Sequence, residues 1–254
     1  MGLTKVITPV FQGYFSNWSS ACKSANDLRG NNLIEPFDST RWMARQREML
    51  ELARSGKYAR PTNLPLLSSS LMAEYIVDLG GGSGWTSELL TKLKSVKTNY
   101  IVLEIPSVCE EFSKDFTSNS RVTFFSVMSD APKQMISSTD VLYSNSVIQY
   151  FEDDSNLMEL VSFLSPKYIL LDDFQSSTGD TFYSLQNYYG VFMPYRFMNF
   201  QDIKIACERL GYELIFKSEY PNPIAAGMAA TVQGAGYSVS EIGPALSLLF
   251  KKII

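Results

Sequence analysis

Residues Tyr75-Ile-Val-Asp-Leu-Gly-Gly-Gly-Ser-Gly84 decide the fold. An apolar run that closes on an acid and then meets a glycine turn reads as a buried strand stopping at a ligand-binding loop. The residues beyond it, Thr86 to Lys94, have the spacing of an amphipathic helix. Glycines at 80, 82 and 84 permit positive φ and a close approach of backbone N–H groups to a ligand. A dinucleotide fingerprint, G-x-G-x-x-G, counted from Gly80, needs its third glycine at position 85, which is Trp85. The order is instead Asp78-x-Gly80-x-Gly82-x-Gly84. A carboxylate two residues before the first glycine repels phosphate and suits a cationic or amino-bearing ligand.

At 254 residues the chain is one large domain or a domain with a cap, long enough for a substantial core. A net charge of −4, with no Lys/Arg cluster interleaved with aromatics, argues against nonspecific nucleic-acid binding. Cys22, Cys109 and Cys207 are far apart, odd in number and without a C-x-x-C pair. Neither a disulfide framework nor a zinc knuckle is implied, and a reduced, cytoplasmic protein is expected. The first residues lack the apolar stretch of a signal peptide, Val6 breaks the myristoylation pattern, and no apolar run reaches the ~20 residues of a membrane span. There is no histidine, which excludes histidine triads, imidazole metal sites and histidine bases. Proton transfer must use Asp, Glu, Lys, Tyr, Cys or water. No carboxylate cluster has convincing ligand spacing, so no metal is expected.

Further strands are expected at Asn99–Glu104, Arg121–Ser126, Asp140–Asn145, Lys167–Asp172, Tyr212–Lys217 and Ser247–Ile254. Pro106 sits at a plausible first helical position, a helix follows around Asp154–Leu164, and Asn199 reads as the N-cap of a helix ending at Gly211. Strands separated by helices imply a parallel sheet covered on both faces. The last two strands lack an intervening helix; the glycine-rich 221–244 stretch between them reads as a long loop, so this pair is expected to be antiparallel. Residues 1–70 differ in character: Thr40–Lys57 has helical spacing with Trp42, Met49, Leu50 and Ala53 on one face, and Pro61 and Pro65 mark a connector. The expected organisation is a helical cap over 1–70 and a sheet domain over 71–254.

The Asp78 to Gly84 pattern resembles motif I of the class I S-adenosylmethionine-dependent methyltransferases. That resemblance implies a Rossmann-like, seven-stranded α/β sheet, mostly parallel with an antiparallel last strand, and S-adenosylmethionine as cofactor. In such sheets the ligand lies at the carboxyl ends of the strands. The expected cofactor-binding residues are Asp78, the turn glycines 80, 81, 82 and 84 (Gly80, Gly81, Gly82, Gly84), and Glu104, which lies 20 residues beyond Gly84 and suits ribose hydroxyls. The resemblance adds Met128, near the adenine, and Ser144 and Asn145, beside the methionine part of the cofactor. Gln149 is a candidate to face the substrate. Of Asp172 and Asp173, adjacent on an extended chain, at most one should face the pocket.

Ser146-Val-Ile-Gln-Tyr-Phe-Glu-Asp153, Pro166-Lys-Tyr-Ile-Leu-Leu-Asp172, Gln186 and Gly211-Tyr-Glu-Leu, in that order, resemble an uncharacterised family of methyltransferase-like proteins often encoded among bacterial surface-polysaccharide (O-antigen) genes. The similarity spans residues 14 to about 220. This chain departs from the family at Asp173, where an Arg-like residue is usual, and at Met193-Pro-Tyr-Arg-Phe197, which stands for Tyr-Pro-x-Trp. The resemblance implies methyl transfer to an oxygen of a sugar or surface-glycan precursor. Gln186 is then a second substrate-binding candidate, and Asp172, Asp173 and Tyr150 are, in that order, the candidates for the base. A homodimer is compatible with the chain. The rival readings are a non-catalytic protein that binds an adenosyl ligand on the same fold, and a nucleotide-cofactor oxidoreductase, which Trp85 and Asp78 disfavour.

Overall fold

The computed structural model describes residues 10–30, 35–57, 62–92, 97–116, 121–220 and 242–253. In chain order the first elements are β1 (Phe11–Phe15), α1 (Trp18–Arg29), α2 (Thr40–Arg54), α3 (Leu64–Leu71), β2 (Tyr75–Leu79), α4 (Trp85–Thr91), β3 (Asn99–Leu103) and α5 (Pro106–Phe112). They are followed by β4 (Val122–Phe125), α6 (Lys133–Ser137), β5 (Val141–Asn145), α7 (Ser155–Leu164), β6 (Tyr168–Ser177), β7 (Phe182–Tyr188), β8 (Val191–Phe197), α8 (Phe200–Arg209), β9 (Tyr212–Glu219) and β10 (Ile242–Lys252).

A seven-stranded sheet has the order β4-β3-β2-β5-β6-β10-β9. Neighbours from β4 to β6 are parallel, and β10, last in the chain, lies antiparallel between β6 and β9. Central parallel strands are covered on both faces, so they are apolar without alternation. On one face Val77, Ile101, Leu142 and Ile169 pack against Leu157 and Val161 of α7 and Ile203 of α8. On the other, Ile76, Tyr100, Val102 and Leu170 pack with Leu64 of α3 and Leu90 of α4. Each such side chain contributes about 1.5–3 kcal/mol on burial. Asn199 caps α8 by accepting from Gln201 N–H at 2.9 Å, and Gly211 ends it at φ 83°.

Three strands have no counterpart in the sequence reading. β7 and β8 form a hairpin whose two turn residues, Tyr189 and Gly190, both have positive φ (51° and 92°), and β1 pairs antiparallel with β7. The pairing ties residues 11–15 to 183–186, so the first 70 residues, which carry α1, α2 and α3, also carry a strand of a sheet completed by residues 182–197. Pro65 lies in the first turn of α3 rather than in a connector. β6 runs past its expected end and β10 begins before its expected start, because a bulge lets the pairing continue: Leu171 faces Leu248 and Phe174 faces Leu246, leaving Asp172 and Asp173 opposite Ser247 alone. The stretch expected as a long loop lies, over 221–241, outside the described residues. Among the described residues no helix is long and apolar enough to cross a membrane.

Candidate active site

The carboxyl ends of β2, β3, β4 and β5 open into a cavity of about 920 Å³. Its floor is the glycine turn. Gly80, Gly82 and Gly84 adopt φ of 68°, 57° and 72°. The requirement is plainest at Gly82, where a Cβ would drive into Gln46 Oε1 of α2. Gln46 holds the turn from above: its Oε1 accepts from Ser83 N–H at 3.2 Å and its carbonyl accepts from Ser83 Oγ at 2.8 Å. Trp42 and Met49, one turn to either side on α2, complete this roof.

Asp78, the next-to-last residue of β2, is 2% exposed, lines the cavity, and accepts from Tyr100 Oη at 2.5 Å. Burial pushes its carboxyl up to about 8; the Tyr100 hydrogen bond opposes the rise and the charge of Glu104 adds to it. Glu104 directly follows β3 and accepts from Gly82 N–H at 3.0 Å and Ile105 N–H at 2.9 Å. Burial raises its carboxyl too, against the pull of those two bonds. A wall carrying two desolvated carboxylates favours a ligand that brings positive charge or hydroxyl donors.

Of the residues proposed from sequence, Asp78, Gly80, Gly81, Gly82, Glu104, Met128, Asn145 and Tyr150 all line this one cavity. Gly84 does not; it lies behind the turn beside Phe116 and Phe124. Ser144 is buried between strands, donating to Leu79 O at 3.3 Å. Gln149 is buried and donates to Ser146 Oγ (3.0 Å) and Asp173 O (3.4 Å). Gln186 of β7 lies one step behind the lining and accepts from Tyr150 Oη at 2.8 Å.

The two aspartates depart most from expectation. Neither Asp172 nor Asp173 lines the cavity. The expected alternation of an extended strand fails because Asp173 occupies the left-handed region, φ 55°, as part of the bulge. Asp172 is buried against α3 and β10. Its carboxylate accepts from Asn63 N–H (3.2 Å), Asn63 Nδ2 (3.4 Å), Thr62 Oγ1 (3.2 Å) and Ser247 Oγ. Burial raises its carboxyl and these bonds oppose the rise. Asp172 nevertheless connects to the cavity: Thr62 Oγ1 is 2.8 Å from Tyr143 Oη, and Tyr143 lines the cavity, accepting from Asn145 Nδ2 at 3.0 Å. Burial and the charges of Asp172 and Asp78 keep the Tyr143 phenol protonated far above the usual range.

Sequence reasoning missed Gln46, Tyr143, Thr62, Phe37 and Tyr188. Gln46 carried a usable signal: it lies on the apolar face of α2 between Trp42 and Met49, and a polar residue in such a stripe needs a partner. Phe37 packs edge-on against Trp42 (5.5 Å), Tyr150 (5.3 Å) and Tyr188 (6.0 Å), forming an aromatic cup at one end of the cavity. Among the described residues no group of three or more His, Cys, Asp or Glu is placed to hold a metal ion.

Solved structures share this architecture. An S-adenosylmethionine-dependent methyltransferase from Mesorhizobium loti superposes at a TM-score of 0.50 with 14% identity, over 74% of this chain and 96% of that one. The 1,6-didemethyltoxoflavin-N1-methyltransferase of Burkholderia thailandensis, with bound 1,6-didemethyltoxoflavin and S-adenosylhomocysteine, aligns at 0.49 with 13% identity, over 93% and 85%. A glycopeptide N-methyltransferase in complex with S-adenosylhomocysteine aligns at 0.49 with 11% identity, over 77% and 91%. No protein-family model matches the chain, and no curated protein matches it in sequence. The fold is the class I methyltransferase fold.

Proposed function

We propose that this chain is an S-adenosylmethionine-dependent methyltransferase. The observation that carries the reading is the wall formed by buried Asp78 and by Glu104 bonded to Gly82 N–H, at the carboxyl ends of β2 and β3. The residues fit such a cofactor: Asp78 would hold its amino group, Glu104 its ribose hydroxyls, Met128 its adenine, and Asn145 its methionine part. S-adenosylmethionine supplies a methyl group activated by a sulfonium. The chain's residues then have to align the acceptor and take its proton.

The acceptor end is the aromatic cup of Phe37, Tyr150 and Tyr188, with Tyr150 held by Gln186. Aromatic faces suit the C–H face of a sugar ring, and the order of the Ser146–Asp153, Pro166–Asp172 and Gln186 motifs supports a sugar or surface-glycan hydroxyl as acceptor. The proton of such a hydroxyl has a route out: to Tyr143 Oη, whose own proton passes to Thr62 Oγ1 as that of Thr62 passes to Asp172 Oδ2. In this reading Asp172 is the terminal base, and residues 1–70 cap the acceptor side. Three unpaired cysteines agree with a reducing, cytoplasmic setting.

Calorimetry with S-adenosylmethionine, S-adenosylhomocysteine and NAD tests this. Saturable binding of both adenosyl ligands and none of NAD is expected. NAD binding alone would return the oxidoreductase reading, and adenosyl binding without methyl transfer across an acceptor panel would favour a binding protein.

A further inference from the structure

We infer that the methyl acceptor enters the cavity as a ring with no negative charge, either neutral or amine-bearing, and that phosphorylated and carboxylated rings are excluded. The inference rests on the methyltransferase reading for which ligand shares the cavity.

Among the described residues the cavity is lined by no Lys or Arg, and the chain has no His; of its three acidic side chains, Asp78 and Glu104 are those the methyltransferase reading gives to the cofactor, which leaves Glu159. This is an arrangement of charge rather than a shortage of it, since the chain has 22 Lys and Arg. Helix α2 makes the point. It presents Trp42, Gln46 and Met49 to the cavity, while its arginines point elsewhere. Arg41 reaches Tyr189 O at 3.5 Å, Arg45 pairs with Glu48 at 2.5 Å, and Arg54 with Glu88 at 3.0 Å. Arg47 pairs with Glu111 (2.5 Å) and Asp115 (3.1 Å).

Sites that take phosphate or carboxylate use Arg, Lys or oriented N–H groups at close range. Here the Gly82 N–H is already committed to Glu104. An anion entering the cavity would lose its hydration and, among the described lining residues, find no cationic side chain to replace it. The aromatic cup adds to the selection, because ring faces carry negative potential. They accept the C–H face of a ring or a cation and repel an anion.

The test is a panel of matched rings, each as alcohol, amine, carboxylate and phosphate, measured by thermal shift and calorimetry with and without saturating S-adenosylhomocysteine. Alcohol and amine members should bind at least about tenfold tighter than their anionic counterparts, and Glu159→Lys should narrow that gap by about tenfold. Anionic members that bind as well as their counterparts would overturn the inference, and so would a panel in which no neutral or amine ring binds. S-adenosylhomocysteine that fails to bind would sink the methyltransferase reading, while the arm without it still reads the charge preference of the cavity.

Discussion

Tyr100 Oη donates a 2.5 Å hydrogen bond to Asp78 Oδ2 within the sheet, yet the carboxyl it supports still sits at about 8. Desolvation outweighs the bond. The folded chain therefore holds a proton that the unfolded chain, with Asp78 near its ordinary 3.8, has released. Where the folded state binds more protons, stability falls as pH rises. The ligand-free protein should lose stability between about pH 4 and pH 8 and level off above, and Asp78→Asn should flatten that slope. Melting temperatures of both proteins across this range read the difference. Binding of a cationic ligand, which needs Asp78 ionised, should strengthen over the same window, with proton release seen by calorimetry in buffers of different ionisation enthalpy.

Gly82 is pinned between its own φ of 57° and Gln46 Oε1. Gly82→Ala should cost ~1–2 kcal/mol from the left-handed conformation alone, and more as Gln46 is displaced. Gln46→Ala should leave Ser83 N–H without its partner, costing ~1–3 kcal/mol. Urea denaturation gives both values. If the turn is the adenosyl cradle, each substitution should also weaken S-adenosylhomocysteine binding more than it weakens binding of the free amino acid methionine.

Arg196 on β8 is 4% exposed and bonds Asp154 at 2.6 Å just ahead of α7, clamping the small sheet to the main one. Removing one partner of a buried pair strands the other charge. Arg196→Met should cost ~3 kcal/mol in urea denaturation, and Arg196→Met/Asp154→Asn should recover part of that loss. A single variant as stable as the parent would show that the pair contributes nothing to the clamp.

What was legible in the sequence follows from physics that is local in the chain. The parallel strands are buried on both faces, so Ile76-Val77 and Ile101-Val102 announce themselves as apolar runs, and the acid at the end of each marks the ligand edge. β8 was hidden by Pro194 and Arg196, residues that argue against a strand unless it lies at an edge, as β8 does. Its hairpin turn is Tyr189-Gly190, lacking the Asn or Asp that usually signals such a turn. β1 finds its partner far along the chain, Phe11 opposite Gln186 and Phe15 opposite Tyr183, a pairing that no local pattern encodes. The surroundings of Asp172 and Asp173 are not legible because a bulge opposite Ser247, with Asp173 at φ 55°, interrupts the alternation of the strand.

The Thr62 hydroxyl is the link on which the proposed proton route depends, since it joins Tyr143 Oη (2.8 Å) to Asp172 Oδ2 (3.2 Å). Thr62→Val keeps the shape of the side chain and removes the relay. With an acceptor that turns over, wild-type rate should rise with pH as Asp172, held above the usual carboxylate range by burial, loses its proton. Thr62→Val and Asp172→Asn should both lower kcat by ~100-fold or more and erase that rising limb, while affinity for S-adenosylhomocysteine stays within about twofold. Tyr143→Phe should behave the same way. A purely structural role for Asp172 predicts something else: lower melting temperature in Asp172→Asn, with kcat and its pH limb intact in Thr62→Val. Full turnover with an unchanged limb in Thr62→Val would remove Asp172 from the chemistry and leave it as the anchor of α3 on the sheet.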